Sequence, residues 1–430
     1  MVITRPGPLR VDILAFGSRG DVQPYVALGL GLRASGHKVR LVTLRGFEEF
    51  VRGHGLDQIS IAPAPREIAA TAAGQDWIRQ RDKPNRFRRG FVRVVRALVE
   101  DSIANYWRVC GDVEALIASA SGLLLAVHIA QKMGVPLIRA QYDPSAPTRY
   151  DWNGRTSLAI AARGAWWAFA GAAFRFLLWQ GLRGPTNRAR SQLLGLPPLR
   201  MQDPFTTLNR LRVPLLDGYS PVVVPRPPDW GDWIHVTGYW FLDTASDWLP
   251  PPGLVDFLQS GPPPVFVGFG SVPLPNPEAT AGLVLRALSR AGRRGVLVAG
   301  GSRLASGLLA DGVFAVDAVP YDWLFSRVCA AVHQGGAGVT AAALRAGLPS
   351  VVVPVFGDHP FWAQRVFQLG AGPRPVPARR LTEDALADAI QATAGSEMRH
   401  RAAALGAQIR KEDGVARAVE LFHEHVGALH

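Results

Sequence analysis

The stretch HQGGAGVTAAALRAGLPSVVVPVFGDHPF, residues 333–361, decides the fold expected for this chain. An apolar run just before it, Val328–Val332, predicts a buried strand. Glycines follow, and a helix is predicted to begin near Val339 or Thr340. A second apolar run, Ser350–Phe356, predicts the next strand. Strand, glycine turn, helix and strand in this order indicate a parallel β-α-β unit.

The turn between this strand and helix is a candidate anion-binding site. Gly335, Gly336 and Gly338 let backbone N–H groups approach a ligand closely, and the first helical turn leaves such donors without partners. The helix dipole adds about half a positive charge at this end. Asp358, just past the second strand, is well placed to bind sugar hydroxyls. The stretch therefore indicates half of a nucleotide-sugar site, although many α/β proteins carry the bare pattern for packing alone.

Length and composition limit the class of protein. The 430 residues suggest two or three domains at about 150 residues each. Hydrophobic residues make up 48% of the chain, enough for substantial cores. The two cysteines, Cys110 and Cys329, exclude a disulfide scaffold and a cysteine-rich metal site. A reducing cytoplasm fits, and no signal peptide is expected because the first residues include Pro6 and Pro8.

The formal net charge of +13 favours anionic partners. Part of the excess lies between Arg79 and Arg96, where the only acid is Asp82. The basic residues there are Arg79, Arg81, Lys83, Arg86, Arg88, Arg89, Arg93 and Arg96. A solvated helix face, a peripheral contact with an anionic membrane and nucleic-acid binding are the alternatives. The absence of interleaved stacking aromatics argues against nucleic acid.

The first half of the chain predicts a second β-α-β series. Strands are expected at Val11–Phe16 and Lys38–Leu44, with a helix over 25–35 between them. The loop GSRGDVQP, residues 17–24, then lies at the carboxyl end of the first strand, where open parallel sheets place ligands. It lacks the G-x-G-x-x-G spacing of a dinucleotide site.

Further strands and helices are predicted along both halves of the chain. Leu123–Val127 is expected to be a buried strand, Ile129–Met133 a helix and Pro136–Ala140 the next strand. A proline- and tryptophan-rich segment over 213–252 predicts an interdomain linker. Beyond it, strands are expected at Val265–Phe269, Val296–Ala299 and Val313–Val316.

The segment from Leu158 to Leu182 is unusually apolar and aromatic. Its longest run without charge is too short for a membrane span, which needs about 20 residues. Two interpretations stay open: helices that line an apolar pocket, and an interfacial membrane helix with an aromatic face.

Four blocks together resemble family 1 glycosyltransferases. They are GSRGDVQPYVAL at 17–28, YSPVVVPRPPDWGDWIHVTGYWFLD at 219–243, FVGFGSVP at 266–273 and HQGGAGVTAAALRAGLPSVVVPVFGDHPFWAQRV at 333–366. The resemblance is closest to the bacterial and fungal sterol 3-β-glucosyltransferases, and the chain is also similar to macrolide and glycopeptide-antibiotic glycosyltransferases.

The resemblance implies an α/β GT-B fold, in which two Rossmann-like domains face each other across a cleft. The expected organisation is an acceptor domain over 1–217, a linker over 218–252, a nucleotide-sugar domain over 253–408 and a C-terminal helix over 409–430 that packs back on the first domain. The expected location is cytoplasmic, with a peripheral contact at the inner face of the membrane as an option.

The resemblance also implies a reaction. A hexose, expected to be glucose, passes from a UDP-sugar to a hydroxyl of a hydrophobic acceptor such as a sterol or polyketide aglycone. Transfer is inverting, and neither a metal nor another cofactor is expected. The alternatives are a secondary-metabolite enzyme that uses a TDP-sugar, and a non-catalytic homologue that binds lipid or a partner. A nucleotide-sugar 2-epimerase is disfavoured because such enzymes lack the GSRGD loop.

Asp21 is the candidate general base. Antibiotic glycosyltransferases carry an aspartate in the same G-S-R-G-D motif as their proposed base, and the resemblance transfers that role to Asp21. The competing interpretation is a capping residue at a helix start. His128 is the alternative base, with a packed core histidine as its competing interpretation.

The remaining candidate residues follow from the resemblance. The diphosphate is expected to contact Ser18, Arg19, Ser271, His333, Gly335, Gly336, Ala337, Gly338 and Thr340. Asp358 and His359 stand where plant enzymes place Asp-Gln on the sugar, so the histidine is a departure. In plant enzymes a tryptophan stacks on the uracil ring of the nucleotide, and it aligns here with Ala318. The uracil is therefore expected near Val319, Gly300, Gly301 or Trp323. The acceptor pocket is expected to contain Tyr142, Trp166, Trp167, Phe169 and Phe174.

Overall fold

The computed structural model of the chain describes residues 7–80, 84–144, 146, 148, 175–201, 204–244, 248–270, 277–299, 307–310 and 312–427. They form two compact units. The first unit comprises Met1–Leu242 and Asp413–His430, and the second comprises Asp243–Glu412. None of the helices in the described part of the chain combines the length and apolar character that crossing a membrane requires.

A seven-stranded parallel sheet organises the first unit, with the strand order β3-β2-β1-β4-β5-β6-β7. Its strands are β1 (Arg10–Leu14), β2 (Lys38–Leu44), β3 (Asp57–Ala62), β4 (Ala115–Ala118), β5 (Leu137–Gln141), β6 (Leu215–Asp217) and β7 (Ile234–Val236). Its helices are α1 (Arg19–Ala34), α2 (Glu48–Gly53), α3 (Pro65–Ala70), α4 (Ala72–Arg79), α5 (Pro84–Trp107), α6 (Leu123–Met133), α7 (described over 175–188), α8 (Pro204–Arg210) and, last in the chain, α16 (Gly414–Gly427).

A six-stranded sheet organises the second unit, with the order β10-β11-β9-β8-β12-β13. Its strands are β8 (Val265–Gly268), β9 (Gly295–Val298), β10 (Gly307–Ala310), β11 (Val313–Val316), β12 (Ala330–His333) and β13 (Ser350–Val352). Only the edge pair of β10 and β11 is antiparallel among these described strands. The helices are α9 (Pro252–Gln259), α10 (Pro277–Arg290), α11 (Tyr321–Phe325), α12 (Ala337–Ala346), α13 (His359–Gln368), α14 (Glu383–Ala392) and α15 (Ser396–Ile409).

Each sheet is buried on both faces, as parallel sheets require. On β1, Val11 and Ile13 enter one core cluster with α1 and α16, whereas Leu14 enters the cluster on the opposite face, formed with α5 and α6. Because the strands of a parallel sheet run in the same direction, their carboxyl ends lie at the same edge, where the loops that follow can bring functional groups together.

The strand predicted at Leu123–Val127 is wrong, because these residues begin helix α6. A short apolar run does not distinguish a buried helix from a buried strand. Helix α6 ends at Gly134, which is left-handed with φ of 70°. The strand at this point of the sheet is β4, Ala115–Ala118, which was missed.

Helix α16 packs on α1 within the first unit. A Cβ added at Gly31 would lie 2.4 Å from Val415, so this glycine permits the close approach of the two helices. Two imidazole pairs also hold α16. His37 Nε2 lies 2.8 Å from His423 Nε2, and His235 Nε2 lies 2.9 Å from His425 Nε2.

These pairs predict loss of stability in acid. Burial, followed by the partner histidine, lowers the pKa of His37 and lowers the pKa of His235 to about 4. Because the folded pKa values lie below the ordinary value near 6.5, the stabilisation is present above about pH 6.5 and is lost as pH falls from there toward about 4. Chemical denaturation at pH 7.5 and pH 5 should show a smaller loss of unfolding free energy for His37→Gln/His235→Gln than for the wild type. Equal losses would contradict this assignment.

Candidate active site

The turn after β12 depends on a glycine that no other residue could replace. Gly335 has φ of 91°, and a Cβ there would lie 2.7 Å from Val352 and 3.0 Å from the carbonyl oxygen of His359. The turn therefore lies directly against the start of α13. This contact gathers the end of β12, the N-terminus of α12 and the N-terminus of α13 in one place.

Several buried polar atoms around this turn have no hydrogen-bond partner. They are His333 Nε2, Gln334 Oε1, Thr340 Oγ1 and His359 Nδ1. A buried polar group without a partner costs about 1–3 kcal/mol, so such groups are rare and call for an explanation. Their concentration beside one helix N-terminus indicates a ligand site.

The imidazole of His333 is a neutral donor. Its Nδ1 accepts a hydrogen bond from the backbone N–H of Gly335 at 3.1 Å, so the ring proton lies on Nε2. Burial, followed by the nearby His359, lowers the pKa of His333 to about 3, so the ring is neutral at physiological pH. An Nε2–H group is therefore ready to donate to an anionic oxygen.

Helix α12 supplies further donors. Its N-cap is Gly336, which has no side chain to occupy the first-turn N–H groups. A Cβ at Gly338 would meet no atom within 4 Å, so open space lies beside the first turn. Free N–H groups, the helix dipole and the Nε2–H of His333 together form a cradle suited to a diphosphate.

The residues that follow β13 are placed next to this cradle. Asp358 is the N-cap of α13, and its Oδ2 accepts a hydrogen bond from Trp362 Nε1 at 2.9 Å. Burial lowers the pKa of His359 to about 4, so this imidazole is neutral as well. The indole of Trp362 thus fixes the carboxylate predicted to bind the sugar, a contact that the sequence analysis missed.

Asp21 lies at the third position of α1 in the first unit. Its Oδ2 accepts hydrogen bonds from the Ser18 backbone N–H at 2.5 Å and from Ser18 Oγ at 2.7 Å. A Cβ at Gly17 would lie 2.4 Å from the same oxygen, so glycine is required there. The capping interpretation is therefore observed, and both contacts with Ser18 use Oδ2.

Tyr142 was predicted to contact the acceptor, and the structure gives it another contact. The residue follows β5, and its phenol donates a hydrogen bond to Asp21 Oδ1. Burial and the charge of Asp21 raise the pKa of Tyr142, so the phenol keeps its proton. The loops after β1 and β5 thus meet at one carboxylate.

His128, the alternative base, is a core residue of α6. Its Nδ1 lies 3.0 Å from Arg190 Nη1, and the guanidinium must be the donor. Burial, followed by the charge of Arg190, lowers the pKa of His128 to about 3. Its position supports the core interpretation rather than a base role.

Other candidates lie apart from these clusters or outside the described residues. Arg19 is exposed, with its guanidinium 4.6 Å from the centre of the Phe50 ring. Trp323 packs on Trp248 and borders a groove with Pro263. Pro263 precedes β8, whereas His333 ends β12, the parallel neighbour of β8, so these two residues lie at opposite ends of adjacent strands. The candidates outside the described residues are Trp166, Trp167, Phe169, Phe174, Ser271, Gly300 and Gly301.

Two domain-family models match the chain. Residues 11–150 match the glycosyltransferase family 28 N-terminal domain, and residues 294–417 match the erythromycin biosynthesis protein CIII-like C-terminal domain. Among solved structures, the glycotransferase of kitacinnamycin has a TM-score of 0.68 at 20% identity and covers 98% of this chain and 100% of its own. The calicheamicin glycosyltransferase CalG4 has a TM-score of 0.67 at 19% identity, with 99% and 100% covered. The predicted GT-B fold is thus confirmed, and the predicted resemblance to glycosyltransferases agrees with the family 28 model over residues 11–150.

Within that class the chain is related to sterol 3-beta-glucosyltransferases, which confirms the predicted resemblance. The protein of that name from Cryptococcus neoformans is 35% identical over 444 residues, covering 97% of this chain and 27% of its own length. The one from Aspergillus fumigatus is 36% identical over 431 residues, covering 96% and 30%. The chain therefore spans less than a third of the length of these relatives.

The cradle predicts that His333→Ala weakens nucleotide binding. Losing a hydrogen bond to a charged oxygen costs about 1.5–3 kcal/mol, so the Kd of UDP should rise by about 10- to 150-fold in titration calorimetry. His400→Ala, which removes an exposed histidine of the same unit, is the control and should bind UDP like the wild type. An unchanged Kd for His333→Ala would remove this residue from the site.

Proposed function

We propose that the chain transfers a hexose, in the first place glucose, from a UDP-sugar to a hydroxyl of a hydrophobic acceptor such as a sterol or a sterol-like polyketide aglycone. The observation that carries this proposal is the group of unpartnered buried polar atoms at the N-terminus of α12. The relatives named sterol 3-beta-glucosyltransferase support the choice of sugar and acceptor.

The second unit supplies the leaving-group side of the proposed reaction. As the bond between the anomeric carbon and the diphosphate oxygen breaks, its electron pair leaves with the diphosphate. The first-turn N–H groups of α12 and the Nε2–H of His333 stabilise this growing negative charge. Asp358, held by Trp362, accepts hydrogen bonds from sugar hydroxyls. We propose transfer without a metal, as the resemblance implies.

The first unit supplies the base. Asp21 takes the proton of the acceptor hydroxyl while the acceptor oxygen forms its bond to the anomeric carbon. Attack on the face opposite the leaving diphosphate inverts that carbon. The proton ends on the carboxylate, and the products are a glycoside and a nucleoside diphosphate.

Apolar surface on α7 supports a hydrophobic acceptor. Phe176 and Leu177 are 40% and 65% exposed at the start of the described part of this helix. Burying such surface against a four-ring skeleton yields about 25 cal/mol per Å², which would supply much of the binding energy. The acceptor itself is proposed from the relatives and not from these two side chains.

The proposal predicts a severe loss of activity for Asp21→Ala. Removing a general base lowers kcat by about 10²- to 10⁴-fold, whereas the Kd of UDP should not change because Asp21 does not belong to the cradle. Release of UDP is measured with UDP-glucose and a panel of sterols and macrolide aglycones, and TDP-glucose is tested beside it. His128→Ala is expected to be mild.

Each outcome of this assay is informative. Severe loss for His128→Ala with mild loss for Asp21→Ala would overturn the assignment of the base. Turnover with TDP-glucose alone would favour the secondary-metabolite alternative. UDP binding without turnover of any acceptor in the panel would favour a non-catalytic homologue.

We also propose a peripheral contact with anionic membranes through an arginine stripe on α5. Arg86, Arg89, Arg93 and Arg96 are exposed and spaced by three, four and three residues, which places them on one helix face. Arg93 also pairs with Asp76 of α4 at 3.0 Å. Anionic surfaces attract each such residue with about 1 kcal/mol.

The stripe predicts binding to phosphatidylserine vesicles at low salt, with release at high salt. Arg86→Glu/Arg89→Glu/Arg96→Glu should weaken co-sedimentation by more than about tenfold, since each arginine contributes about 1 kcal/mol. The matched control, Arg379→Glu/Arg380→Glu/Arg399→Glu, makes the same charge change at exposed positions of the second unit. Absence of binding by the wild type at low salt, or equal weakening by both variants, would contradict the proposal.

A further inference from the structure

The hydrogen bonds of the Asp21 carboxylate are unevenly shared between its two oxygens. Oδ2 accepts two donors, the backbone N–H and the hydroxyl of Ser18. Oδ1 accepts one donor, the phenol of Tyr142. A carboxylate oxygen has two lone pairs, so Oδ2 is filled and Oδ1 retains one lone pair for another donor.

We propose that Tyr142 is a positioning residue, whose phenol fixes the Asp21 carboxylate so that the second lone pair of Oδ1 receives the proton of the acceptor hydroxyl. This inference rests on the proposed function, because it takes Asp21 as the base. It assigns Tyr142 to the orientation of the carboxylate and not to contact with the acceptor.

Tyr142 is itself held in place. Its ring meets the ring of Tyr25 edge to face, with centroids 6.4 Å apart at 71°. Tyr25 in turn donates a hydrogen bond to the carbonyl oxygen of Ala140 at 2.8 Å and packs edge to face on Trp240 at 5.8 Å. Both tyrosines border the same core cluster, so the phenol of Tyr142 reaches the carboxylate from a fixed frame.

Titratable groups from three elements act on Tyr25, the ring that packs against Tyr142. Helix α1 contributes Asp21, the loop after β5 contributes Asp143, and β6 contributes Asp217. After burial, Asp143, Asp21 and Asp217 in that order raise the pKa of Tyr25, which shows that three carboxyl groups act on this region. Tyr142, which donates to Asp21 Oδ1, packs against Tyr25 within this group.

Removing the phenol hydroxyl has two effects that packing alone would not produce. A hydrogen bond to the charged form of a carboxylate favours that form, so Tyr142→Phe should move the acidic limb of the pH profile of kcat to higher pH, by about one unit. Loss of orientation should lower kcat by about tenfold at the pH optimum. The KM for the sugar donor should stay unchanged, because the cradle is built from residues of the second unit alone.

Tyr25→Phe is the matched control. It removes a buried phenol hydroxyl from the neighbouring ring, whose hydrogen bond goes to a backbone carbonyl and not to Asp21. We expect it to lower the melting temperature without moving the acidic limb. Equal shifts in both variants would show that the shift reports packing, and would overturn the proposal.

A second measurement separates this inference from the proposed function. In protein labelled with ¹³C at aspartate carboxyl groups, the resonance of Asp21 is identified by its loss in Asp21→Asn. That resonance should titrate at higher pH in Tyr142→Phe than in the wild type or in Tyr25→Phe. If it does not move, the contact has no electrostatic effect and the inference is wrong, whatever the activity.

The activity of Asp21→Asn completes the test. Loss of turnover in Asp21→Asn with a wild-type pH profile for Tyr142→Phe would leave the proposed function intact and overturn only the role of Tyr142. Turnover retained by Asp21→Asn would remove Asp21 as the base, and the positioning role would fail with it.

Discussion

The close approach of Gly335 to the backbone of His359 is the constraint on which the second unit depends. It places the neutral imidazole of His333, the uncapped start of α12 and the N-cap of α13 around one point. Each group is weak alone, because a helix terminus contributes only fractions of a charge and a neutral imidazole only one donor. Together they provide several donors at one point, and preorganised donors of this kind stabilise a diphosphate most strongly.

In the first unit, a glycine turn followed by a helix holds a negatively charged group instead of donors for an anion. A glycine again allows the approach, since any side chain at Gly17 would collide with the carboxylate of Asp21. Here the start of a helix presents an acid, and Ser18 and Tyr142 surround it with donors. Two β-turn-α units of one design thus give a candidate anion-binding site in one unit and a carboxylate held by Ser18 and Tyr142 in the other.

The sequence was sufficient to predict the fold and the main candidate residues. It was insufficient for contacts between side chains of elements that are far apart in the chain. The glycine spacing around residue 335 predicted the turn, because a turn depends on local backbone geometry. Asp21 was located by the family resemblance of the GSRGD block, and the helix that holds it begins at Arg19, not near residue 25 as predicted. The contact of Tyr142 with Asp21 joins residues 121 positions apart, and nothing in the local pattern reveals it. The strand misassigned at 123–127 failed for another reason, since a short apolar run has no periodicity that separates helix from strand. Of the segment expected to line the acceptor pocket, 158–182, residues 158–174 lie outside the described residues.

The packing of α16 on α1 makes the first unit discontinuous in the chain. The face of α1 around Gly31 is covered by residues that follow the whole of the second unit. During synthesis the second unit is therefore complete before the core of the first unit can close, although the first unit emerges earlier. The apolar side chains of α1 that pack on Val415 and Val419 stay exposed until α16 has been synthesised. Docking of α16 is therefore the last step in burying that core.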